Sequence, residues 1–427
     1  MDNPARGRIF SPRTKRGDAM SDASESHSDL LIVGGGLNGP ALALAAARAG
    51  LTSTIIDALP KARMEDATFD GRAYALALAS VRLLRNIGVW DRIEGHSQPM
   101  LDIKVSDGRA GEGPSPLWLH FDHAEIEEGP MGHMVEDRYL RRALLEEMAE
   151  RPEITVLNET RVTDQQTGPD GASVTLDSGE VLRGRVVVGC DGKKSATAQR
   201  AGIRRHGWGY GQTALVCAIA HEKPHHGVAH QFFMPPGPLA ILPLPGNRSS
   251  IVWSERDATA RAIQALPDNE YLEALRPRFG DFLGEISLEG QRFLYPLVLS
   301  VCEEFAGWRL ALVGDAAHGM HPIAGQGLNA GLRDVGALAQ VLTEAKDRGE
   351  DIGALDVLKR YEEWRRFDTA SLAMATDLTN KLFSNDNPLL RAGRDLGLGL
   401  VNRMPGLRRT FIREAAGLTG DLPDLMR

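Results

Sequence analysis

Residues 30–57 read LLIVGGGLNGPALALAAARAGLTSTIID, and this stretch decides the fold. A short apolar run predicts a buried strand, an alanine-rich run predicts a helix, and a second apolar run predicts another strand. Between the first strand and the helix lie Gly34, Gly36 and Gly39, in the spacing GxGxxG. We therefore predict a βαβ unit that binds a dinucleotide.

The glycines and the acidic residue at the end of this unit have separate physical roles. Glycine lets backbone N–H groups approach a pyrophosphate at the helix N-terminus, where the helix dipole favours anions. Asp57 ends the second strand, where a carboxylate can accept hydrogen bonds from both hydroxyls of an adenosine ribose. A glycine turn with a purely structural role is the alternative.

The composition limits the class of protein. The chain has 427 residues, of which 42% are hydrophobic and 25% charged, with a formal net charge of -8. This is a globular composition, and the length allows roughly two or three domains.

Because nucleic-acid binding over a broad surface needs excess Lys and Arg, we expect no nucleic-acid partner. The three cysteines, Cys190, Cys217 and Cys302, form no CxxC pair, which favours a reducing compartment.

The N-terminal extension differs from the rest of the chain. Residues 1–28 mix charges with Pro, Gly and Ser, and they lack the apolar stretch of a secretory signal. We expect this segment to be disordered. Translation from Met1 and translation from Met20 are both compatible with the sequence.

Apolar patterns predict further elements along the chain. The stretch behind Arg72 has helical spacing and is predicted to stop at Gly88, whereas residues 101–130 are predicted to be irregular. From Tyr210 to Trp253, apolar runs broken by Gly and Pro favour antiparallel strands.

Two later glycine turns also follow apolar strands: GCDGKKS at 189–195 and GDAAHGMHPIAGQGLN at 314–329. Together with the first turn, they make the chain resemble the FAD-dependent aromatic hydroxylases, the single-component flavoprotein monooxygenases. Within that family it looks most like the ubiquinone-biosynthesis hydroxylases, through YGQTALV at 210–216 and GPLAILPL at 237–244.

The resemblance implies an α/β fold class. We expect a Rossmann-like FAD-binding domain, an interleaved mixed α+β substrate domain of antiparallel sheet, and a helical C-terminus. The expected divisions are 29–100, 131–205 and 293–350 for the FAD-binding domain, 101–130 and 206–292 for the substrate domain, and 351–427 for the C-terminal helical region.

The resemblance also implies which residues bind FAD. Asp315 is expected to accept a ribityl hydroxyl, and a helix N-cap is the alternative role. The helix that opens at 325–329 is expected to direct N–H groups at the flavin and stabilise negative charge on the reduced ring. Arg72 resembles the family arginine near the flavin, with a surface helix cap as the alternative. The predicted cofactor-binding residues are Gly34, Gly36, Gly39, Asp57, Arg72, Arg138, Asp191, Gly192, Asp315, Pro322, Gly325, Gln326, Gly327, Leu328 and Asn329.

The resemblance also implies where the reductant lies. Asp191 and Gly192 are implied to lie near both FAD and the nicotinamide cofactor, NADH or NADPH. Ala198 stands where the family usually has an arginine. His318 and His321 lie inside the flavin motif without further ligands, so no metal site is predicted.

The implied reaction is hydroxylation of the phenolic ring of a polyprenylated ubiquinone precursor. In the family, NAD(P)H reduces FAD, O2 adds at flavin C4a, and the hydroperoxide delivers oxygen to the ring. No catalytic base is identified. The predicted substrate contacts are Tyr210, Gln212, Leu242 and Trp253.

Two other functions stay open at this point. A hydroxylase of a soluble aromatic acid would need a basic anchor, for which Arg204 and Arg205 are the nearest candidates. A silent subunit would keep FAD and scaffold other quinone-biosynthesis proteins.

A prenylated substrate must be collected from a bilayer or from a partner protein. The basic and apolar residues after Asn387 favour a cytoplasmic protein with peripheral contact at the inner membrane surface. A helix packed on the FAD domain is the alternative for this region.

Overall fold

The computed structural model describes residues 27–111, 113–169, 171–319, 326–383 and 403–427. The strands are β1 (His27–Val33), β2 (Ser53–Ile56), β3 (Ala73–Ala77), β4 (Ser97–Met100), β5 (Asp102–Arg109), β6 (Gly113–Asp122), β7 (Gly132–Glu136), β8 (Ile154–Leu157), β9 (Val162–Gly168), β10 (Gly171–Leu176), β11 (Val181–Gly189), β12 (Arg205–His221), β13 (Val228–Met234), β14 (Gly237–Leu244), β15 (Arg248–Arg256), β16 (Ile286–Cys302), β17 (Ala306–Gly307), β18 (Leu310–Leu312) and β19 (His318–Gly319). The helices are α1 (Asn38–Arg48), α2 (Lys61–Met64), α3 (Leu78–Asn86), α4 (Asp137–Ala149), α5 (Ala196–Arg200), α6 (Asp257–Gln264), α7 (Asp268–Phe279), α8 (Gln326–Asp347), α9 (Leu355–Phe383) and α10 (Pro405–Ala415).

A parallel sheet forms the centre of the nucleotide-binding part. Its strands β18, β11, β1, β2 and β8 are neighbours in this order and run parallel. Helix α1 buries residues 39–46, which are mostly alanine and leucine. The small alanine side chains let the helix lie close to the sheet, which keeps the central strands out of water. The predicted α/β class is confirmed.

A second sheet carries eight strands in the order β19, β16, β12, β15, β14, β13, β5 and β6. All neighbours are antiparallel except β13 and β5, which run parallel. One face of this sheet packs on α6 and α7 through Leu215, Trp253 and Tyr271. We call it the outer face.

The opposite face, which we call the inner face, contacts a small antiparallel sheet of β3, β7 and β4. Met134 of β7 packs there in one apolar cluster with Leu242 and Leu244 of β14. The inner face is therefore directed at the nucleotide-binding part of the chain.

Four expectations from the sequence are corrected. Residues 73–77 form a strand because they pair with β7, although their spacing also suits a helix. Residues 101–130 are not irregular, since they contain β5 and β6. Strand β16 runs through the predicted boundary at 293 and stays in the second sheet. His27 and Ser28 belong to β1, where the Ser28 hydroxyl lies 2.7 Å from that of Thr54. The rest of the N-terminal extension lies outside the described residues.

Within the described ranges, no helix is both long enough and apolar enough to cross a membrane.

Candidate cofactor and substrate site

The predicted cofactor loops meet because neighbouring parallel strands end at one edge of the sheet. Gly34 donates its N–H to the Ile56 carbonyl at the end of β2, at 2.9 Å. Cys190 donates to the Val33 carbonyl at 2.8 Å, and Val313 donates to the Gly189 carbonyl at 3.0 Å. The loops after β1, β2, β11 and β18 are thus brought together, as expected for a ligand at the carboxyl ends of parallel strands.

Two glycines of the first loop are required by close backbone approach. A Cβ atom on Gly34 would lie 2.5 Å from the carbonyl oxygen of Cys190, and Gly34 has φ of 112°. A Cβ atom on Gly39 would overlap the carbonyl oxygen of Gly34. Both positions therefore require glycine before any ligand is considered.

The loops fit FAD because they leave backbone open to a ligand. A Cβ atom on Gly36, Gly192 or Gly327 would meet no atom within 4 Å. Helix α1 begins without a side-chain cap, and its first turn holds no acidic residue. Its free N–H groups and positive dipole end therefore suit the pyrophosphate of a dinucleotide.

Asp57 connects the second strand to the glycine loop. Its Oδ2 accepts from the Gly35 N–H at 2.5 Å and its Oδ1 accepts from the Leu59 N–H at 2.6 Å. A carboxylate has about four lone-pair sites. The two remaining sites are sufficient for the two ribose hydroxyls, and this role stays a prediction.

Asp191 is occupied by its own loop. Its carboxylate accepts from the Ser195 hydroxyl at 2.5 Å, from the Thr197 N–H at 2.9 Å and from the Thr197 hydroxyl at 3.0 Å. These bonds hold the start of α5. The open space beside Gly192 is the part of this loop that a cofactor could approach.

Asp315 has the properties expected of a ligand for the ribityl chain. Its side chain is half-buried and bonds to no described residue, and the short turn Gly314–Ala316 has no side-chain cap. The alternative role as a helix cap is therefore not observed.

Helix α8 begins at Gln326, and its first turn includes Gly327 and Leu328. Asn329 uses its side chain within the protein. Its Oδ1 accepts from Ala77 N at 2.9 Å and the Ser80 hydroxyl at 2.7 Å. Pro322, Gly325 and His321 lie outside the described residues.

The sequence analysis missed the residue that fixes the loop after β18. Asp334 of α8 is fully buried. Its Oδ2 accepts from the Gly314 N–H at 2.9 Å and from His318 Nε2 at 2.6 Å, and its Oδ1 accepts from Arg365 Nε at 2.8 Å. Burial would raise the pKa of Asp334, but His318 and Arg365 hold it below its usual range. His318 is therefore a structural partner of a carboxylate.

Arg72 and Arg138 face acidic residues. Arg72 pairs with Asp70 at 2.8 Å and with buried Asp137 at 3.0 Å. Arg138 pairs with buried Glu136 at 2.7 Å. Glu136 also binds Arg248 of β15 at 2.6 Å, so this cluster joins the nucleotide-binding part to the second sheet. Contacts of Arg72 and Arg138 with FAD stay predictions.

Two of the predicted substrate residues lie on opposite faces of the second sheet. Leu242 is on the inner face, in the cluster that contains Met134. Trp253 is on the outer face, 1% exposed, and packs against Tyr271 and Arg278. Because side chains alternate along strands, these two residues cannot line one cavity, and contact of either one with substrate stays a prediction.

Tyr210 and Gln212 both lie on β12. Gln212 is 7% exposed, and its Nε2 donates to the Pro236 carbonyl at 2.6 Å. This bond gives the Gln212 amide a structural role, and contact of either side chain with substrate stays a prediction.

The structure adds two aromatic residues to the inner face. Phe293 and Tyr295 of β16 stack with ring centroids 6.2 Å apart, and Arg72 lies 5.9 Å from the Phe293 ring. Tyr295 remains 41% exposed. In the sequence, the alternation FLY at 293–295 places Phe293 and Tyr295 on the same face of a strand. It does not show which face is directed at the cofactor loops.

Known proteins share this arrangement. Residues 27–375 match the family described as FAD binding domain. The chain belongs to this FAD-binding family. It is 46% identical over 411 residues to ubiquinone hydroxylase UbiL of Rhodospirillum rubrum, covering 96% of this chain and 94% of the relative. It is 35% identical to the 3-demethoxyubiquinol 3-hydroxylase of Escherichia coli, covering 92% and 99%.

Among solved structures, p-nitrophenol 4-monooxygenase PnpA of Pseudomonas putida DLL-E4 shares the fold. The TM-score is 0.77 at 19% identity, with 92% of this chain and 98% of the other chain covered. The cofactor prediction is confirmed for FAD, and the loops described above are where this FAD-binding chain would hold it.

Gly36→Ala is expected to weaken FAD binding by about tenfold or more, equal to about 1.4 kcal/mol. The added methyl group enters the open space beside the loop but touches no protein atom. The thermal midpoint of the apoprotein should therefore stay unchanged. Gly34→Ala should lower both the FAD affinity and the thermal midpoint. FAD fluorescence quenching and thermal melts of both apoproteins make the comparison. A Gly36→Ala protein with wild-type FAD affinity would contradict this site.

Asp334→Asn is expected to cost about 3–5 kcal/mol of folding free energy, because it breaks a buried ion pair. In the wild type, the ionised Asp334 carboxylate stabilises the folded state at neutral pH. This contribution to the free energy of unfolding is lost as the pH falls through the lowered pKa of Asp334. The variant should therefore lose part of the acid sensitivity of unfolding, and its FAD affinity should fall. Urea unfolding across pH is the measurement, with the exposed Asp347→Asn as control. Equal pH profiles for the two variants would refute the role of Asp334.

Proposed function

We propose that this chain is an FAD-dependent monooxygenase that hydroxylates the phenolic ring of a polyprenylated ubiquinone precursor, using NADH or NADPH and O2. Two relatives that align over nearly the whole chain are named ubiquinone hydroxylase UbiL and 3-demethoxyubiquinol 3-hydroxylase. The observation that carries the proposal is the apolar inner face of the second sheet, which is directed at the part that holds the cofactor loops.

The inner face is apolar beside the part of the chain that holds the cofactor loops. Ala218, Ala229 and Leu244 of the second sheet are buried against Met100 and Met134 of the small sheet, and Leu242 packs against this cluster. Such surroundings exclude water and orient an apolar substrate. The edge of this face carries half-exposed aromatic side chains, Phe293 and Tyr295, which suit a phenolic ring.

Bound FAD supplies the hydride acceptance and oxygen activation that no side chain can provide. The chain itself would hold the cofactor through the loops at Gly36, Asp57 and Gly192, with Asp315 for the ribityl chain. The N-terminus of α8 adds a positive dipole end. No catalytic base is assigned in this proposal, because an electron-rich phenol needs orientation and exclusion of water.

If the substrate were a soluble aromatic acid, Arg204 or Arg205 would have to bind its carboxylate. Arg204 is paired with Glu303 at 2.8 Å and is 77% exposed. Arg205 donates to the Ser300 hydroxyl at 3.0 Å and to the Asp315 carbonyl at 3.2 Å. Neither guanidinium is therefore available inside a cavity to bind a substrate carboxylate.

Turnover of a prenylated phenol tests the proposal. With NADH or NADPH and labelled O2, the holoenzyme should place one labelled oxygen atom on the ring. Leu242→Arg should lower kcat/KM by about tenfold or more, because it buries a charge in the apolar cluster. Leu242→Met conserves volume and should keep activity. Mass spectrometry of the product is the measurement. Bound FAD without any substrate-dependent NAD(P)H oxidation would favour the scaffold subunit instead.

We also propose peripheral membrane contact through α10. Ile412 is fully buried and packs on β6, so one side of this helix is held by the second sheet. Three apolar side chains here stay partly exposed: Met404, just before the helix, at 47%, Leu407 at 39% and Phe411 at 43%. The Phe411 ring also stacks on Phe121 of β6, with centroids 6.5 Å apart. The neighbouring Arg409 is also exposed. Apolar side chains beside arginines suit an anionic bilayer surface.

The double variant Met404→Gln and Leu407→Gln should lower binding to vesicles of anionic phospholipid by about tenfold or more, since each apolar side chain contributes about 1 kcal/mol or more on burial. Leu59→Gln, at a site of 47% exposure away from α10, is the control. Flotation of the holoenzyme with vesicles measures bound protein. Equal flotation of wild type and double variant would exclude α10 as the contact.

A further inference from the structure

A cavity of about 1050 Å³ lies on the outer face of the second sheet. Its floor comes from three neighbouring strands, β13, β5 and β6, and its wall from the C-terminal part of α7 and the residues that follow. Ligand cavities commonly have volumes of about 300–1,000 Å³. The sheet separates this cavity from the inner face, so it is independent of the proposed hydroxylation site.

The cavity is lined largely by aromatic and apolar side chains. Phe279 and Phe282 stack with centroids 5.4 Å apart, and His230 lies 4.7 Å from Phe282. Burial and nearby Lys104 lower the pKa of His230 to about 4, so its ring is neutral at pH 7. Trp118 and Phe282 remain 39% and 40% exposed. These rings form a surface for a hydrocarbon chain.

Two hydrogen-bond donors on the floor have no acceptor among the residues that the structure describes. Lys104 and Ser106 are two residues apart on β5 and therefore share one face. Ser106 is 3% exposed, and its hydroxyl has no hydrogen-bond partner among the described residues. The Lys104 ammonium lies 5.6 Å from the Trp118 ring and forms no ion pair within the described ranges. An unsatisfied buried hydroxyl costs about 1–3 kcal/mol, which an acceptor on a ligand would recover.

The other charged groups of the lining do not compete for this position. Arg278 is paired with Glu255 at 3.0 Å and Arg276 with Glu285 at 3.0 Å. The two acidic residues of the lining, Glu273 and Asp281, are both exposed. The floor therefore presents positive charge and a free hydroxyl beneath apolar walls.

We propose that this cavity binds a long-chain carboxylate. The carboxylate accepts hydrogen bonds from Lys104 and Ser106, and the chain lies against Phe282 and Trp118. A charge-assisted bond to Lys104 sets the preference for an anionic head over a neutral or cationic one. The aromatic walls set the preference for a long chain.

Titration of purified holoenzyme with dansyl-labelled undecanoic acid, and its displacement by palmitate, tests the site. Lys104→Met should weaken binding by about tenfold or more, and Ser106→Ala by several-fold. Phe282→Ala should also weaken it. The exposed Lys223→Met removes the same charge elsewhere and should leave affinity unchanged. The FAD absorbance spectrum of each variant shows that it is folded.

Two comparisons separate this site from other apolar surfaces of the protein. A cationic amine with a chain of equal length should bind at least tenfold more weakly than the carboxylate in the wild type, and this difference should vanish in Lys104→Met. Leu242→Trp, on the inner face, should leave probe affinity unchanged. Absence of binding, equal affinity of wild type and Lys104→Met, or loss of binding only in Leu242→Trp would each overturn the proposal.

Discussion

The buried carboxylate of Asp334 is the contact on which the cofactor-binding edge depends. It binds the backbone of the loop after β18, the imidazole of His318 and the guanidinium of Arg365. One side chain thus joins α8, α9 and the last parallel strand. Because this carboxylate is fully buried beside an imidazole and a guanidinium, an uncharged replacement is expected to cost stability.

Local patterns in the sequence were sufficient to predict the strand, glycine turn and helix at residues 30–48, because spacing along the chain fixes such elements. They were not sufficient for Asp334, whose partners lie 16 and 31 residues away along the chain. Residues 73–77 show the same limit. Their alanines and leucine suit a helix or a strand, and only the pairing with β7 decides. Alternation placed Leu242 and Trp253 on strands but did not show which face is directed at FAD.

The second sheet separates two apolar regions of different character. Its inner face meets β3, β7 and β4 and includes the ion pairs of Glu136, which hold the two parts of the chain together. Its outer face is largely covered by α6 and α7 but opens near β5 and β6. Since successive side chains point to opposite faces, the same strands serve both regions, and a substitution on one face leaves the other chemically unchanged.

The parallel sheet takes its strands from widely separated segments: β1 begins at His27, β11 ends at Gly189 and β18 ends at Leu312. Arg365, which completes the contacts of Asp334, comes later still. During synthesis the ribosome therefore releases the glycine turn after β1 long before the segments that lie beside it in the folded sheet. We therefore expect FAD to bind after translation is complete. Until then, the strands that are made first expose unpaired edges, which chaperones would have to protect.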